Sequence, residues 1–134
     1  MALVARNIDT GAVVADRVEV ASTHAERAVG LLSRRSLEPG EGLWIVPCRG
    51  VHTWGMRFTI DVVALDERGV VVDQVSGLKP WRMRLPRPGT AGVLELPSGT
   101  LSASGTALGH RIALEPPDHP TLRHVEGSNG GNAR

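Results

Sequence analysis

The sequence is poor in aromatic residues and in cysteine. Its 134 residues include no Tyr, one Phe and three Trp, so the hydrophobic core has to consist mainly of aliphatic side chains. Such side chains, above all the β-branched ones, fit the pleated and half-buried surface of a sheet. With Cys48 as its single Cys, the chain cannot form an internal disulfide and has no need of an oxidising compartment.

Long apolar runs and an excess of charge are also missing. No stretch reaches the ~20 apolar residues that span a bilayer, and Arg6 and Asp9 interrupt the apolar region that a signal peptide requires. The 15 basic residues nearly balance the 14 acidic ones, which leaves a formal net charge of +1. This balance predicts neither a nucleic-acid partner nor a membrane partner, and the expected location is the cytoplasm.

What the sequence does contain is a series of short apolar runs separated by turn residues. The predicted strands cover residues 3–8, 12–15, 18–21, 43–46, 60–65, 70–75, 78–85, 91–96 and 111–115. Strands at this close and regular spacing are typical of sandwiches and barrels. We therefore predict a mostly β fold, either a compact antiparallel sandwich or a partly open barrel.

One short helix is predicted over residues 23–32. Thr23 and Glu26 have the capping-box spacing, in which the hydroxyl and the carboxylate each satisfy a free backbone N–H, and small and apolar residues then follow at helical intervals. Residues 1–115 are predicted to form a single β-rich domain. Pro, Gly, Asn and Ser dominate from Pro116 onward, which predicts a disordered tail over 116–134.

Five blocks of residues occur in a distinctive order. They are Arg27-x-x-Gly30-Leu31-Leu32-x-Arg34, Gly40-Glu41-Gly42-Leu43, His52-Thr53-x-x-Met56-x-x-x-x-Asp61-Val62, Leu65-Asp66-x-x-Gly69 and Leu94-Glu95-Leu96-Pro97-x-Gly99. Over about residues 15–115 the chain resembles the prokaryotic family of uncharacterised proteins known as domain of unknown function 192. The resemblance implies a compact β fold with one helix and carries no established activity.

The chain departs from the family pattern at two positions. The family usually has an aromatic residue before a Trp-Met pair, where this sequence has Trp54-Gly55-Met56. Near the end the family usually has Gly-Asp, where this sequence has Gly109-His110. If that Asp contributes to a family site, this protein has changed it.

The segment from Cys48 to Met56, followed by Asp61, contains the residue types of a ligand site. A flat indole face, polar side chains that fix orientation and guanidinium groups that bind an anion are usual components of such a site. The sequence therefore predicts a non-enzymatic domain that binds a small polar or anionic ligand. The candidate residues are His52, Thr53, Trp54, Met56, Asp61, Glu95, Arg27 and Arg34.

Asp61 and Glu95 each lie between apolar residues of a predicted strand. A buried charge there needs a partner, so one hypothesis is that each carboxylate pins the fold through an Arg or through backbone N–H groups. Another is that both converge with His52 on a pocket, as in a hydrolase with His52 or Asp61 as general base. A third is a structural or partner-binding accessory protein that has no pocket, its protein partner being unknown.

Metal and cysteine chemistry receive less support. Cys48 and His52 would need further ligands such as His24, His110 or Glu95, and no second Cys completes a recognisable tetrahedral set. Neither a metal nor a cofactor is predicted. Cys48 could act as a nucleophile with His52 as its base, but a lone Cys at the end of an apolar strand is more often a small buried residue.

Residues 79–87 carry four cations and no acid. In an extended strand Arg82 and Arg84 share one face, while Trp81, Met83 and Leu85 share the other. This alternation favours a solvated strand whose apolar side covers the core. The alternative is an anion-binding edge, because Arg guanidinium groups grip carboxylate or phosphate in pairs.

Overall fold

The computed structural model describes residues 2–23, 26, 31, 34–48, 50–84 and 87–117. The strands are β1 Leu3–Asn7, β2 Val13–Ala21, β3 Glu41–Ile45, β4 Val51–His52, β5 Ile60–Leu65, β6 Val71–Leu78, β7 Met83–Arg84, β8 Gly92–Pro97 and β9 Ile112–Glu115. Helix α1 covers Thr100–Ser104. The chain is mostly β, and its curled sheet forms a half-barrel with one short helix, which confirms the predicted fold class.

The larger sheet has the strand order β6-β5-β8-β3-β2-β1-β9, and β4 and β7 form a separate two-stranded ribbon. All neighbours in the larger sheet are antiparallel except β2 and β3, which run parallel. A parallel pair requires a long crossover, and residues 22–40 provide it. The two edges of the sheet meet at one end, where Val70 and Arg111 form a bridge and Ile112 N–H donates to the Gly69 carbonyl at 2.8 Å.

The central strands are buried on both faces. In β5 every residue is buried: Ile60, Val62 and Ala64 belong to one apolar cluster, and Val63 and Leu65 belong to another. We call these the first and the second cluster. A strand covered on both faces reads as a continuous apolar run rather than an alternating one. This double burial accounts for the apolar run at 60–65, in which Asp61 is the one polar residue.

The helix predicted over 23–32 lies mostly outside the described residues, but its predicted start is confirmed. Glu26 N–H donates to Thr23 Oγ1 at 3.0 Å, and Thr23 N–H donates to Glu26 Oε1 at 3.1 Å. Ser22 N–H also donates to that carboxylate, and these hydrogen bonds, above all the one from Thr23 N–H, lower the pKa of Glu26. The tail predicted over 116–134 lies outside the described residues from 118 onward.

Helix α1 was not predicted, because the sequence at 104–105 indicates only a turn. Gly99 before it and Gly105 after it both have left-handed backbone conformations, with φ of 97° and 68°. Five residues are too few for a helix that is stable on its own. The stabilising contacts come from elsewhere in the chain, as described below for Asp61.

Trp44 packs directly on the backbone of β8. A Cβ atom added at Gly92 would lie 2.5 Å from Cη2 of Trp44 and 3.0 Å from the Ile45 carbonyl oxygen. The indole ring therefore occupies the volume that any other residue at position 92 would need. Gly92 is required for space, because it is not among the glycines with positive φ.

We expect Gly92→Ala to lower the free energy of unfolding by about 1–3 kcal/mol, the usual cost of inserting a methyl group into a packed region. Urea denaturation measures the loss. The control is the same substitution in a Trp44→Leu background, where the added methyl has room and should cost much less. Equal losses in both backgrounds would contradict the steric explanation.

Candidate functional site

Thr53 organises the ribbon of β4 and β7. Its N–H donates to the Arg82 carbonyl at 2.8 Å, and its carbonyl accepts the N–H of Trp81 at 3.0 Å. Its hydroxyl donates to the Lys79 carbonyl at 2.6 Å and accepts the N–H of Arg82 at 2.9 Å. Because Thr53 is fully buried and these groups bind the backbone of 79–82, its role is to hold this turn.

The turn held by Thr53 forces Trp81 into an unusual backbone conformation. Trp81 has a φ of 63°, a left-handed value that no other non-glycine residue in the described part of the chain adopts. For a bulky side chain this conformation costs on the order of 1 kcal/mol, and it persists only where the surroundings impose it. Such strain often accompanies a functional position.

An exposed apolar surface lies on this ribbon. We call it the aromatic ribbon and define it by His52, Trp54, Trp81 and Met83. Trp54 is 49% exposed, Trp81 66% and Met83 52%. The rings of His52 and Trp54 lie 5.1 Å apart between centroids, and His52 is directly opposite Met83 in the ribbon. Clustered exposure of large apolar side chains marks an interaction site.

The aromatic ribbon lies within a cationic part of the chain. No acidic residue occurs in 42–60 or in 74–94, the two segments that contribute it. The exposed cations of these segments, among the described residues, are Arg57, Lys79, Arg82 and Arg87. A surface that combines large apolar groups with several cations, and with no nearby acid in the sequence, complements an anion.

An ion pair anchors the ribbon to the larger sheet. Nε and Nη2 of Arg84 donate to the two carboxylate oxygens of Asp73 on β6, at 2.8 and 2.7 Å. Arg87 lies 3.7 Å from the same carboxylate. The hydrogen bonds from Arg84 hold the pKa of the buried Asp73 below its ordinary value of 3.8.

This arrangement corrects the strand predicted over 78–85, of whose described residues only Leu78 at the end of β6 and Met83–Arg84 of β7 lie in strands. It also corrects the predicted orientation of the side chains in this segment. Arg84 turns inward to Asp73, while Trp81 and Met83 face solvent instead of the core. Leu85 lies outside the described residues. The expected alternation failed because Trp81 in its left-handed turn interrupts the extended backbone, and because the buried Asp73 requires a cationic partner. Trp81 and Met83 are therefore exposed residues of the aromatic ribbon, which the sequence pattern did not indicate.

Asp61 is fully buried and has backbone partners only, among those the structure describes. Its Oδ1 accepts the N–H of Gly77 at 2.9 Å, and its Oδ2 accepts the N–H of Gly99 at 3.1 Å and of Leu101 at 2.9 Å. The hypothesis that this carboxylate pins the fold through backbone N–H groups is confirmed. The contacts tie β5 to the end of β6 and to the start of α1.

We expect Asp61→Asn to lower the free energy of unfolding by about 3 kcal/mol, because an amide NH₂ would face backbone N–H donors and leave at least one of them unsatisfied. Chemical denaturation measures the loss. Asp16→Asn is the matched control, since the exposed Asp16 forms a surface ion pair with Arg17 and its substitution should change stability by less than about 1 kcal/mol. A variant as stable as the wild type would refute the pinning role.

Glu95 points to the opposite face of the sheet from Asp61. In the antiparallel register Asp61 is opposite Leu96 of the second cluster, whereas Glu95 is opposite Val62 and Leu43 of the first. The structure does not bring the two carboxylates together. Burial raises the pKa of Glu95 to about 7.

This raised pKa predicts a pH dependence of stability. The folded state keeps the proton of Glu95 up to about pH 7, whereas the unfolded chain releases it near 4.5. The free energy of unfolding should therefore fall as pH rises through this window, by roughly 3 kcal/mol in total. Glu95→Gln should remove this fall and be more stable than the wild type at pH 8, and parallel urea titrations at pH 5 and 8 compare them. Identical pH profiles would contradict the assignment.

Met56 and Arg34, two other predicted site residues, have partners elsewhere in the fold. Met56 is buried in the first cluster, and Nη2 of Arg34 donates to Oε1 of Glu41 at 2.7 Å. Arg27 lies outside the described residues. Cys48 is half-buried, and its Sγ donates to the Gly50 carbonyl at 3.0 Å. The described residues contain no group of three or more side chains that could hold a metal ion.

His110, which stands where the family usually has Asp, acts as a hydrogen-bond acceptor. Its Nδ1 lies 3.1 Å from Nδ2 of the fully buried Asn7 and 3.2 Å from the N–H of Ala107. An aspartate oxygen would offer the same acceptor function. The Nδ1 atom of His110 therefore connects β1 with the loop that leads into β9.

The fold is that of a small β domain, a curled half-barrel with one short helix. The chain belongs to the family DUF192, described as "Uncharacterized ACR", whose sequence profile matches residues 5–114. This confirms the family that the sequence motifs indicate. In the part of the chain that the structure describes, no helix has the length and apolar character that crossing a bilayer requires.

Similar proteins occur in archaea and in solved bacterial structures. A UPF0127 protein of Pyrococcus abyssi is 32% identical over 102 residues, which cover 72% of this chain and 84% of the relative. A provisionally described transcription regulator of Sinorhizobium meliloti has a TM-score of 0.73 at 21% identity, covering 84% and 91% of the chains. A Novosphingobium aromaticivorans protein of unknown function also reaches 0.73, at 22% identity and 84% coverage of each chain. At these identities the two structures confirm the fold alone.

Proposed function

We propose that the protein is a non-enzymatic binding domain that takes a small anionic, polyhydroxylated ligand, such as a sugar phosphate, on the aromatic ribbon. The observation that carries this proposal is the exposure of Trp54, Trp81 and Met83 within two acid-free, cationic segments. Indole faces pack against the C–H surface of a ring, and guanidinium groups bind the anion.

The rigidity of the ribbon supports a binding role. Thr53 holds the turn from its buried position, and the Arg84–Asp73 ion pair fixes β7 to the larger sheet. A surface that is ordered before the ligand arrives loses little conformational entropy on binding. The exposed Trp81 is therefore already held in position to contact a ligand.

The geometry favours binding over hydrolysis. A hydrolase built from His52, Asp61 and Glu95 needs these groups around one substrate. Asp61 and Glu95 face opposite sides of the sheet, and both oxygens of Asp61 accept backbone N–H groups. The hydrolase hypothesis therefore lacks support from the arrangement of its carboxylates.

Trp81→Asn is the sharpest test, because Asn tolerates the left-handed backbone and removes only the indole. Isothermal titration with glucose 6-phosphate, inorganic phosphate, glucose and a short single-stranded oligonucleotide provides the probes. We expect the sugar phosphate to bind the wild type, and Trp81→Asn to weaken it at least tenfold with little change in melting temperature.

Leu108→Ala is the matched control, since Leu108 is another exposed apolar residue that lies outside the ribbon, and it should bind like the wild type. Arg82→Gln should weaken the sugar phosphate while leaving any binding of glucose unchanged. Preference for the oligonucleotide, or sugar phosphate binding that survives Trp81→Asn, would refute the proposal.

A further inference from the structure

A groove of about 520 Å³ lies at the seam where the half-barrel remains open, and it shares no residue with the aromatic ribbon. It runs between β9 and the turn that connects β5 to β6. Its walls include Trp44, Leu65, Leu114, Arg111 and Glu115. This volume is within the usual range for a ligand site, and the lining combines apolar and charged groups.

One wall of the groove is the edge of β9. Arg111 O accepts the N–H of Ile8, and β9 then pairs with β1 in antiparallel register. Backbone groups of successive residues alternate in direction along such a strand, so those of Ile112 and Leu114 are directed away from β1. Ile112 N–H already donates to the Gly69 carbonyl. Beyond that bond, no strand of the described part of the chain pairs with this edge, and Leu114 offers its N–H and its carbonyl to the groove.

The groove also contains an apolar pocket, which we call the apolar seat. The Trp44 ring is held against Gly92, and Leu65 and Leu114 of the second cluster line the same space. A strand added to β9 would direct every second side chain toward this seat. The groove thus combines main-chain hydrogen-bonding groups with a pocket for an apolar side chain, the two components of recognition by strand addition.

The closed end of the groove carries an exposed guanidinium group. The bridge between Val70 and Arg111 closes one end, where Nε of the exposed Arg111 donates to the Arg68 carbonyl at 3.1 Å. Asp66 at this end is compensated, because it accepts the N–H groups of Arg68 and Val70 and pairs with the Arg68 guanidinium. Glu67 is exposed at the tip of the turn, and Glu115 lies at the open end.

We propose that this groove binds the extended C-terminal segment of a partner protein, which adds to β9 as an antiparallel strand. The closed end requires the incoming chain to terminate there, and the Arg111 guanidinium complements its terminal carboxylate. An apolar side chain of the partner packs against Trp44.

The test begins with a displayed library of random heptapeptides that have free C-termini, selected against the full chain. We expect the enriched peptides to share an apolar residue at a fixed distance from the C-terminus. The best of them, prepared as a synthetic peptide, should shift the ¹⁵N–¹H resonances of Leu114 and of the Trp44 indole. Amidating its C-terminus should weaken binding at least tenfold.

Arg111→Gln is the decisive variant, because Arg111 is exposed and its loss should leave the protein folded. It should weaken the free-acid peptide and leave the affinity for the amidated peptide unchanged. Trp81→Asn is the control that should leave peptide binding intact, and glucose 6-phosphate should not compete with the peptide. A library without enrichment, peptides that require Trp81, or equal affinity of the acid and the amide would overturn the proposal.

Discussion

Both carboxylate oxygens of Asp61 accept backbone N–H groups, and three separate parts of the chain meet there. The donors are Gly77 at the end of β6 and Gly99 and Leu101 around the start of α1. Without this acceptor, three N–H groups close to the core would lose a charged partner. The five-residue helix, the end of the hairpin and the centre of the sheet therefore depend on one side chain, and α1 in turn places Leu101 in the second cluster.

In the aromatic ribbon, unfavourable strain and exposure are set against stabilising hydrogen bonds and an ion pair. The turn before β7 contains the strained Trp81, and the ribbon as a whole exposes Trp54, Trp81 and Met83, which is unfavourable for an isolated domain. The hydrogen bonds of the buried Thr53 and the Arg84–Asp73 ion pair offset these costs. Local conflicts that the rest of the fold compensates are expected at functional sites, and the aromatic ribbon is such a place.

Asp61 and Glu95 show how far similar sequence contexts can diverge. Each carboxylate follows an apolar residue and precedes another one in a buried strand. Asp61 is opposite Leu96, one position away from the pair of Glu95 and Val62, and this single step directs the two side chains to opposite faces. One of them reaches a set of N–H donors, while desolvation in the apolar first cluster raises the pKa of the other.

The sequence by itself determined most strands of the larger sheet, the family and the capping box of Thr23 and Glu26, because these depend on patterns within a few residues of one another. It also singled out the segment from His52 to Asp61. It did not indicate β4, and the strand expected over 78–85 is not formed as a continuous strand. Only the tertiary structure decided that β2 and β3 run parallel, that α1 forms, and that Trp81 and Met83 face solvent while Arg84 turns to Asp73. Each of these outcomes depends on partners far away in the chain, such as Asp61 for α1 and Asp73 for Arg84, and local periodicity carries no information about such partners.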